Sequence, residues 1–375
     1  MTLHLVALPH TRVTPEFCGC AYTAKALKFT KMMAGLDDVV LYAPEGSTDE
    51  FTVETVSCLS DAERLATFGP DDPARLPSWP TLEQTASFNR NVAGELATRY
   101  ATGDLVLLTA GSTFASIVEQ LPTALYCEPG VGYEGILTGL CAFESHAWRH
   151  YVYGKQGIAD GRWFDTVLPN YFDLDDFPIV RETVGEYLLF LGRVVPRKGP
   201  QIALEVAEAA GLPLVVAGAG VSSSSEGLIE TAAGFDYLRL EGNVSYVGTV
   251  GVAERARLLA EARALIAPTT YIEPFGGVAV EAMLAGTPAI TSDWGAFTET
   301  VEEGVTGYRF RTLSEAVAAV ESSRALNPLE VRACAVSRYS LEAVGPCFDE
   351  WFDLLRTLHA GGWYEMSSRR ARIGA

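Results

Sequence analysis

Apolar residues along this chain gather into short runs of strand length, and stretches with helical periodicity stand between them. In the first half the strand-like runs are residues 3–8, 38–42, 51–56, 104–109, 123–127 and 164–168. A helix is expected over 20–33, where Ala24, Leu27 and Met32 fall on or near one face and Gly35 supplies the stop. Others are expected over 82–100 and after Ala110-Gly111-Ser112. A Pro- and Asp-rich stretch, 68–80, reads as a surface excursion. Strands alternating with helices predict a parallel sheet covered on both faces. The second half repeats the alternation, with strands at 187–191, 213–217, 245–247, 264–267 and 289–291. Its helices are expected at 200–210, 252–262, 278–284 and 316–326. Pro200 opens the first of these at a tolerated position and Gly211 closes it. Thr312-Leu313-Ser314-Glu315 is a capping-box pattern before the last. A final helix over 341–358 carries Trp351, Leu355 and Leu358 at helical spacing.

At 375 residues the chain is long enough for two domains. No apolar run is long enough to span a bilayer. The first residues, Met1-Thr2-Leu3-His4-Leu5, read as the first strand of a cytoplasmic protein without a signal segment. The net charge of −19 argues against a broad nucleic-acid grip and against strong attraction to an anionic membrane. A basic end, Arg369-Arg370-Ala371-Arg372, is the clustered exception and reads as a solvated tail. Seven cysteines are scattered; Cys18-Gly19-Cys20 is the one close pair, and no second pair answers it as a zinc site requires. Reduced, mostly buried thiols are expected.

The chemistry concentrates between Tyr271 and Met283. Glu273 falls in the loop after the strand at 264–267, and Glu281 stands about two turns inside the next helix. Gly276 and Gly277 lie at that helix's N-terminus, where free N–H groups and the dipole favour an anion and a missing Cβ lets a ligand touch backbone. Two carboxylates for hydroxyls with an anion site between them is the layout of a nucleotide sugar. Arg193 and Lys198 share a strand-to-helix loop, either facing a diphosphate or lining a solvated basic loop with Arg197.

The E-x7-E spacing enclosing Pro274-Phe275-Gly276-Gly277 resembles the retaining GT-B glycosyltransferases of family four. The resemblance extends to Phe190-Leu191-Gly192-Arg193-Val194-Val195-Pro196-Arg197-Lys198-Gly199, to Val215-Val216-Ala217-Gly218-Ala219-Gly220, to Tyr246-Val247-Gly248-Thr249 and to the segment 295–308. It is strong over about 185–310 and loose in the first half. It implies an α/β GT-B fold, with two Rossmann-like domains facing a cleft and the last helix crossing back to the first domain. The boundaries implied are 1–172 plus about 345–375 for the acceptor domain and 173–344 for the nucleotide-sugar domain. Pro169-Asn170 resembles the family's exit from the first domain, and 174–178 an acidic linker.

By the same resemblance Arg193 and Lys198 face the diphosphate, Glu281 holds the ribose, and Glu273 faces the donor sugar. Gly192, Phe275, Gly276, Gly277 and Val278 give contacts around diphosphate and sugar. Gly248, Thr249 and Val250 either approach the nucleobase or form an ordinary turn. Gly19 stands in the first strand–helix loop, which approaches the donor phosphates in the family, although Cys18-Gly19-Cys20 replaces its usual Gly-Gly. Glu128 stands where many relatives carry a His; it accepts from the acceptor hydroxyl, orients the donor sugar or, as a loop acid, caps a turn. Glu144, His146 and His150 fall in one helical stretch and read as an acceptor wall or as packing with Trp148 and Tyr151.

The one Asp-x-Asp sequence, Asp173-Leu174-Asp175, falls where the Pro-Asn segment meets the acidic linker and does not read as a metal motif, so Arg193 and Lys198 would take the place of a metal cation, and no cofactor is expected beyond the co-substrate. UDP-sugar is the favoured donor and GDP-sugar the next. The acceptor stays open among saccharides, lipids, metabolites and modified bases, the last lowered by the acidic balance. A GT-B epimerase or phosphorylase and a non-catalytic sugar-nucleotide-binding subunit are the competing readings.

Overall fold

The computed structural model describes residues 1–47, 53–72, 79–231 and 237–360. The chain divides into two compact units. Unit 1 comprises Met1–Glu144, Val152–Tyr171 and Leu341–Ala375, and unit 2 comprises Ser145–Tyr151 and Phe172–Ser340.

Unit 1 is built on a parallel sheet of β1 (Thr2–Val6), β2 (Asp38–Pro44), β3 (Glu54–Leu59), β4 (Leu105–Leu108), β5 (Tyr126–Val131), β6 (Cys141–Phe143) and β7 (Thr166–Val167), in the order β3-β2-β1-β4-β5-β6-β7. Its helices are α1 (Ala21–Met33), α2 (Asp61–Phe68), α3 (Leu82–Arg99), α4 (Ala115–Gln120), α5 (His146–Gln156), which continues from unit 2, and α12 (Leu341–Arg356). Alternation along the strands sends Leu3 and Leu5 to one face and Val6 to the other. The first face packs against Phe29, Met32 and Met33 of α1 and against Phe348, Trp351, Phe352 and Leu355 of α12. The second packs against Phe88, Val92 and Leu96 of α3. Both faces are therefore covered, as the apolar strand runs require. The last helix belongs to unit 1, where Trp351 Nε1–H donates to the Phe164 carbonyl at 2.9 Å.

Unit 2 repeats the architecture with β8 (Leu188–Leu191), β9 (Leu214–Ala217), β13 (Val244–Tyr246), β14 (Ala264–Ala267), β15 (Ala289–Ser292) and β16 (Gly307–Phe310). All are parallel, in the order β13-β9-β8-β14-β15-β16. On one face lie α7 (Val252–Glu261), α8 (Gly277–Leu284) and α11 (Pro328–Tyr339); on the other lie α6 (Pro200–Ala209) and α10 (Leu313–Ser322). The short α9 (Phe297–Thr300) follows β15. Thr312 and Glu315 form the expected capping box of α10.

Several elements differ from the sequence reading. The strand expected at 51–56 is Glu54–Leu59, with residues 51 and 52 outside the described ones. The excursion at 68–80 is described only at its ends, and the basic end at 369–372 lies wholly outside the described residues. The strand expected to stop at Cys127 instead runs on through Glu128-Pro129-Gly130 to Val131, every residue buried, with a register shift against β6 at Pro129. The Pro and Gly read as a loop, but tertiary pairing with β6 overrides them. Helix α5 begins at His146, so Glu144 precedes it. An antiparallel sheet of β10 (Val221–Ser225), β11 (Leu228–Thr231) and β12 (Arg239–Glu241) was not anticipated. Its Ser222-Ser223-Ser224-Ser225 run carries no apolar alternation to announce a strand, and Ile229 and Leu240 are its buried anchors.

Candidate active site

In unit 2 the chain moves from β8 outward to β9 and β13, then returns to β14 on the other side of β8. The winding reverses between β8 and β14. The loops leaving their carboxyl ends diverge there, which is where an open α/β sheet leaves room for a ligand. The loop after β8 carries Gly192, Arg193 and Lys198; the loop after β14 carries Tyr271 and Glu273 and runs into α8 at Gly276-Gly277.

The two loops are locked together. Thr270 N–H donates to the Arg197 carbonyl at 2.9 Å. Gly199 has φ +74°, and a Cβ there would lie 2.1 Å from the Pro268 carbonyl oxygen. Only glycine permits that approach. It brings Lys198 Nζ to 3.1 and 2.9 Å from the two carboxylate oxygens of Glu273. Both are largely removed from water, their side chains 22% and 11% exposed. The Tyr271 ring carries Arg197 Cζ at 4.9 Å and Lys198 Nζ at 5.1 Å from its centroid. Burial and the neighbouring Glu273 carboxylate push the Tyr271 hydroxyl well above its usual range, with Arg197 and Arg193 opposing. Arg193 is exposed, and among the described residues no carboxylate pairs with it. Tyr271 was not among the anticipated site residues; an aromatic in a loop gives no signal of the cations it will meet.

A third loop, after β15, holds the second in place. Trp294 Nε1–H donates to the Tyr271 carbonyl at 3.2 Å and Ala296 N–H to the Glu273 carbonyl at 3.1 Å. The Phe275 side chain turns into the core, stacked on Phe172 at 6.2 Å and edge-on to Tyr339 at 5.7 Å. Only its backbone is left for a ligand. Gly277 and Val278 open α8, half-buried.

Glu281 pairs with Arg255 of α7, Nη1 to Oε1 at 3.2 Å. This partner was also missed, because it joins two helices and leaves no mark in the i,i+4 pattern of either. Gly248, Thr249 and Val250 follow β13. Gly218 N–H donates to the Gly248 carbonyl at 2.8 Å and Gly192 N–H to the Ala217 carbonyl at 2.9 Å, so the loops after β8, β9 and β13 stand side by side. Thr249 is exposed and Val250 packs against the core.

In unit 1, Gly19 lies exposed in the turn before α1. Glu128 requires a correction. Rather than presenting its carboxylate to an acceptor, it is fully buried in β5, with Oε1 accepting from Leu137 N–H at 2.8 Å and Thr138 N–H at 2.6 Å and Oε2 from the Tyr133 hydroxyl at 2.8 Å. It holds the loop that follows its own strand. Glu144 is buried and bonded to Lys25 of α1, while His146 and His150 are exposed. At the start of α5, Ser145 Oγ, just before the helix, accepts from Trp148 N–H at 3.0 Å, and Glu299 accepts from His146 N–H and Ala147 N–H at 2.9 and 2.7 Å. Trp148 stacks on Tyr151 at 4.8 Å. Among the described residues no group of three His, Cys, Asp or Glu is placed to hold a metal ion.

Burial outweighs those hydrogen bonds and raises the Glu128 carboxyl above its ordinary value. The folded state then holds the proton more tightly than the unfolded chain, so this group's contribution to stability falls as pH rises from the carboxylate range through the raised pKa. Glu128→Gln, whose amide can accept from both N–H groups and donate to Tyr133, is expected to fold and to flatten that dependence. Glu128→Ala, which strands two N–H donors, is expected to lose about 2–4 kcal/mol. Urea denaturation across the acid-to-neutral range measures both.

Two doubly wound units, with the last helix returned to the first, make the fold GT-B. Solved structures of glycosyltransferases share it. AviGT4, a glycosyltransferase involved in avilamycin A biosynthesis, is 20% identical with a TM-score of 0.65, covering 96% of this chain and 98% of its own. HepE of Anabaena, solved in complex with UDP-glucose, is 14% identical with a TM-score of 0.64, covering 93% and 98%. Residues 173–327 match the family Glycosyl transferases group 1. The chain is similar to a phosphatidyl-myo-inositol mannosyltransferase of Propionibacterium freudenreichii, 33% identical over 199 residues, which is 48% of this chain and 48% of that protein. It is also similar to a D-inositol 3-phosphate glycosyltransferase of Mycobacterium tuberculosis, 35% identical over 163 residues, 40% of this chain and 33% of that protein. The chain thus spans half or less of the length of the curated relatives it matches. Among the described residues no helix is long and apolar enough to cross a membrane.

Proposed function

We propose that the protein is a retaining glycosyltransferase that takes its sugar from a nucleotide-diphosphate donor bound by unit 2, with UDP-sugar favoured and GDP-sugar next. The observation that carries the reading is the Lys198–Glu273 pair at the reversal between β8 and β14, set against the Gly276-Gly277 start of α8. Without donor, Glu273 neutralises Lys198. A diphosphate arriving beside Lys198 finds an ammonium already positioned, with the unpaired Arg193 guanidinium in the same loop. Both stabilise the negative charge that grows as the sugar–phosphate bond breaks, the work a divalent cation does elsewhere, so transfer is metal-independent. The amides at the start of α8 add to that field.

Glu273, freed in part from Lys198, takes a hydroxyl of the donor sugar. Glu281, oriented by Arg255, takes the ribose hydroxyls. Gly248 and Thr249 stand by the nucleobase. The acceptor hydroxyl, held by unit 1, attacks the anomeric carbon on the face the diphosphate leaves, and a departing phosphate oxygen takes its proton. No strong protein base is needed, which agrees with Glu128 being enclosed.

A thermal-shift panel of UDP-, GDP- and ADP-sugars with and without a chelator tests this, since a ligand that binds only the folded chain raises its melting temperature. A rise of several degrees with UDP-sugar, insensitive to chelator and lost in Lys198→Ala, is expected. No rise with any of the three would end the reading.

A further inference from the structure

The loop between β1 and α1 in unit 1 contains a pair that donor binding leaves unexplained. Cys20 is the N-cap of the 13-residue α1, and its Sγ lies 3.3 Å from His10 Nε2. His10 is 4% exposed, and its other ring nitrogen, Nδ1, has no hydrogen-bond partner. Cys20 itself is partly exposed. A thiol at the start of a long helix, touching an imidazole in a site open to solvent on one side, is the arrangement that activates a sulfur nucleophile. A cysteine retained only for packing needs neither partner.

Five of the other six cysteines differ. Cys58, Cys127 and Cys141 are buried, and burial raises their thiols, Cys58 to about 12. Cys334 is also raised by burial. Cys347 is exposed and donates to the Ala343 carbonyl at 3.7 Å within its own helix. For Cys20, burial opposes ionisation, yet His10 and the Thr23 groups of the first helical turn overcome it and lower the thiol to about 7. Tyr22, the other titratable neighbour on α1, is held neutral by burial. Lys25 and Glu144 beyond it are bonded to each other.

We propose that Cys20 and His10 form a thiolate–imidazolium pair and that Cys20 is a site of oxidation by hydroperoxides. The Cys20 sulfur attacks the distal peroxide oxygen; an S–O bond forms as the O–O bond breaks. The sulfur gives up two electrons to become a sulfenic acid, and the departing alkoxide or hydroxide takes the imidazolium proton of His10. Imidazole is left neutral and water or an alcohol departs. The same pair makes Cys20 the fastest thiol toward iodoacetamide.

Peptide mass spectrometry of the full chain after brief iodoacetamide exposure, across a pH series, tests the pairing. Cys20 is expected to label ahead of Cys347 and to reach half its maximal rate near neutrality. In His10→Gln the Cys20 rate at pH 6 is expected to fall by roughly tenfold or more, because an ordinary thiol ionises near 8.5. Hydrogen peroxide followed by a sulfenic-acid trap should mark Cys20 first. Should His10→Gln fail to fold, the ultraviolet thiolate absorbance of the wild-type chain minus that of Cys20→Ser gives the midpoint directly. Labelling no faster than Cys347, a midpoint in the ordinary thiol range, or trapping at other cysteines would overturn the proposal.

Discussion

Lys198→Ala is expected to cut turnover by about 10²–10³-fold, the loss that follows removal of one preorganised group facing developing negative charge. The readout is hydrolytic release of nucleoside diphosphate from whichever sugar nucleotide raises the melting temperature, with water taking the sugar in place of the acceptor. The ammonium lies 2.9 and 3.1 Å from the two oxygens of Glu273 in a site mostly screened from water, so it is already held in place without a donor. Folding should suffer much less. The pair is neither fully buried nor fully exposed, and its loss costs about 1–2 kcal/mol, between the surface and interior limits. Lys198→Arg should not restore activity, since a planar fork does not reproduce a compact ammonium set 5.1 Å from the Tyr271 ring centre. Arg193→Ala, at an exposed position with no ionic partner, should lose turnover with almost no change in stability. Normal turnover in both variants would remove the diphosphate assignment.

The element that carries each candidate residue is legible in the sequence where local chemistry decides it, and its partners are not where distant segments meet. Gly192, Lys198 and Glu273 could be placed on loops, Gly276 at a helix start and Glu281 within that helix because strand runs and stop signals position those elements. Arg255 and Tyr271 could not. Each acquires its role by meeting a residue from another element, Glu281 in one case and the Arg197-Lys198 turn in the other. Glu128 shows the same limit in reverse. Its neighbours Pro129 and Gly130 look like a loop, and nothing local reveals that β6 pairs with them and that Leu137, Thr138 and Tyr133 close over the carboxylate. For the fold, alternating apolar runs sufficed to anticipate two parallel sheets. The polar serine strand β10 was invisible because its pairing with β11 requires no apolar face of its own.

Gly276→Ala is expected to damage stability and donor binding together, for two separable reasons. The residue sits at φ +75°, where a side chain is strained, and a Cβ there would stand 2.3 Å from Phe297 Cε1. Each contributes about 1–3 kcal/mol, so the melting temperature should fall by roughly 5–15 °C in a unit of this size. Phe297 is wholly buried and cannot swing out to relieve the contact. Its helix follows the loop whose Ala296 N–H holds the Glu273 carbonyl, so pushing Phe297 away also disturbs the carboxylate that positions Lys198. Phe297→Leu in the Gly276→Ala background separates the two terms. Shortening the ring should recover the overpacking part of the loss and leave the backbone part. Donor binding, read as the nucleotide-sugar thermal shift, should return only partly, because the strained entry to α8 still misdirects the amides. If Gly276→Ala alone kept both its melting temperature and its donor shift, the glycine would be neither crowded nor part of the anion site, and the start of α8 would have no place in the mechanism.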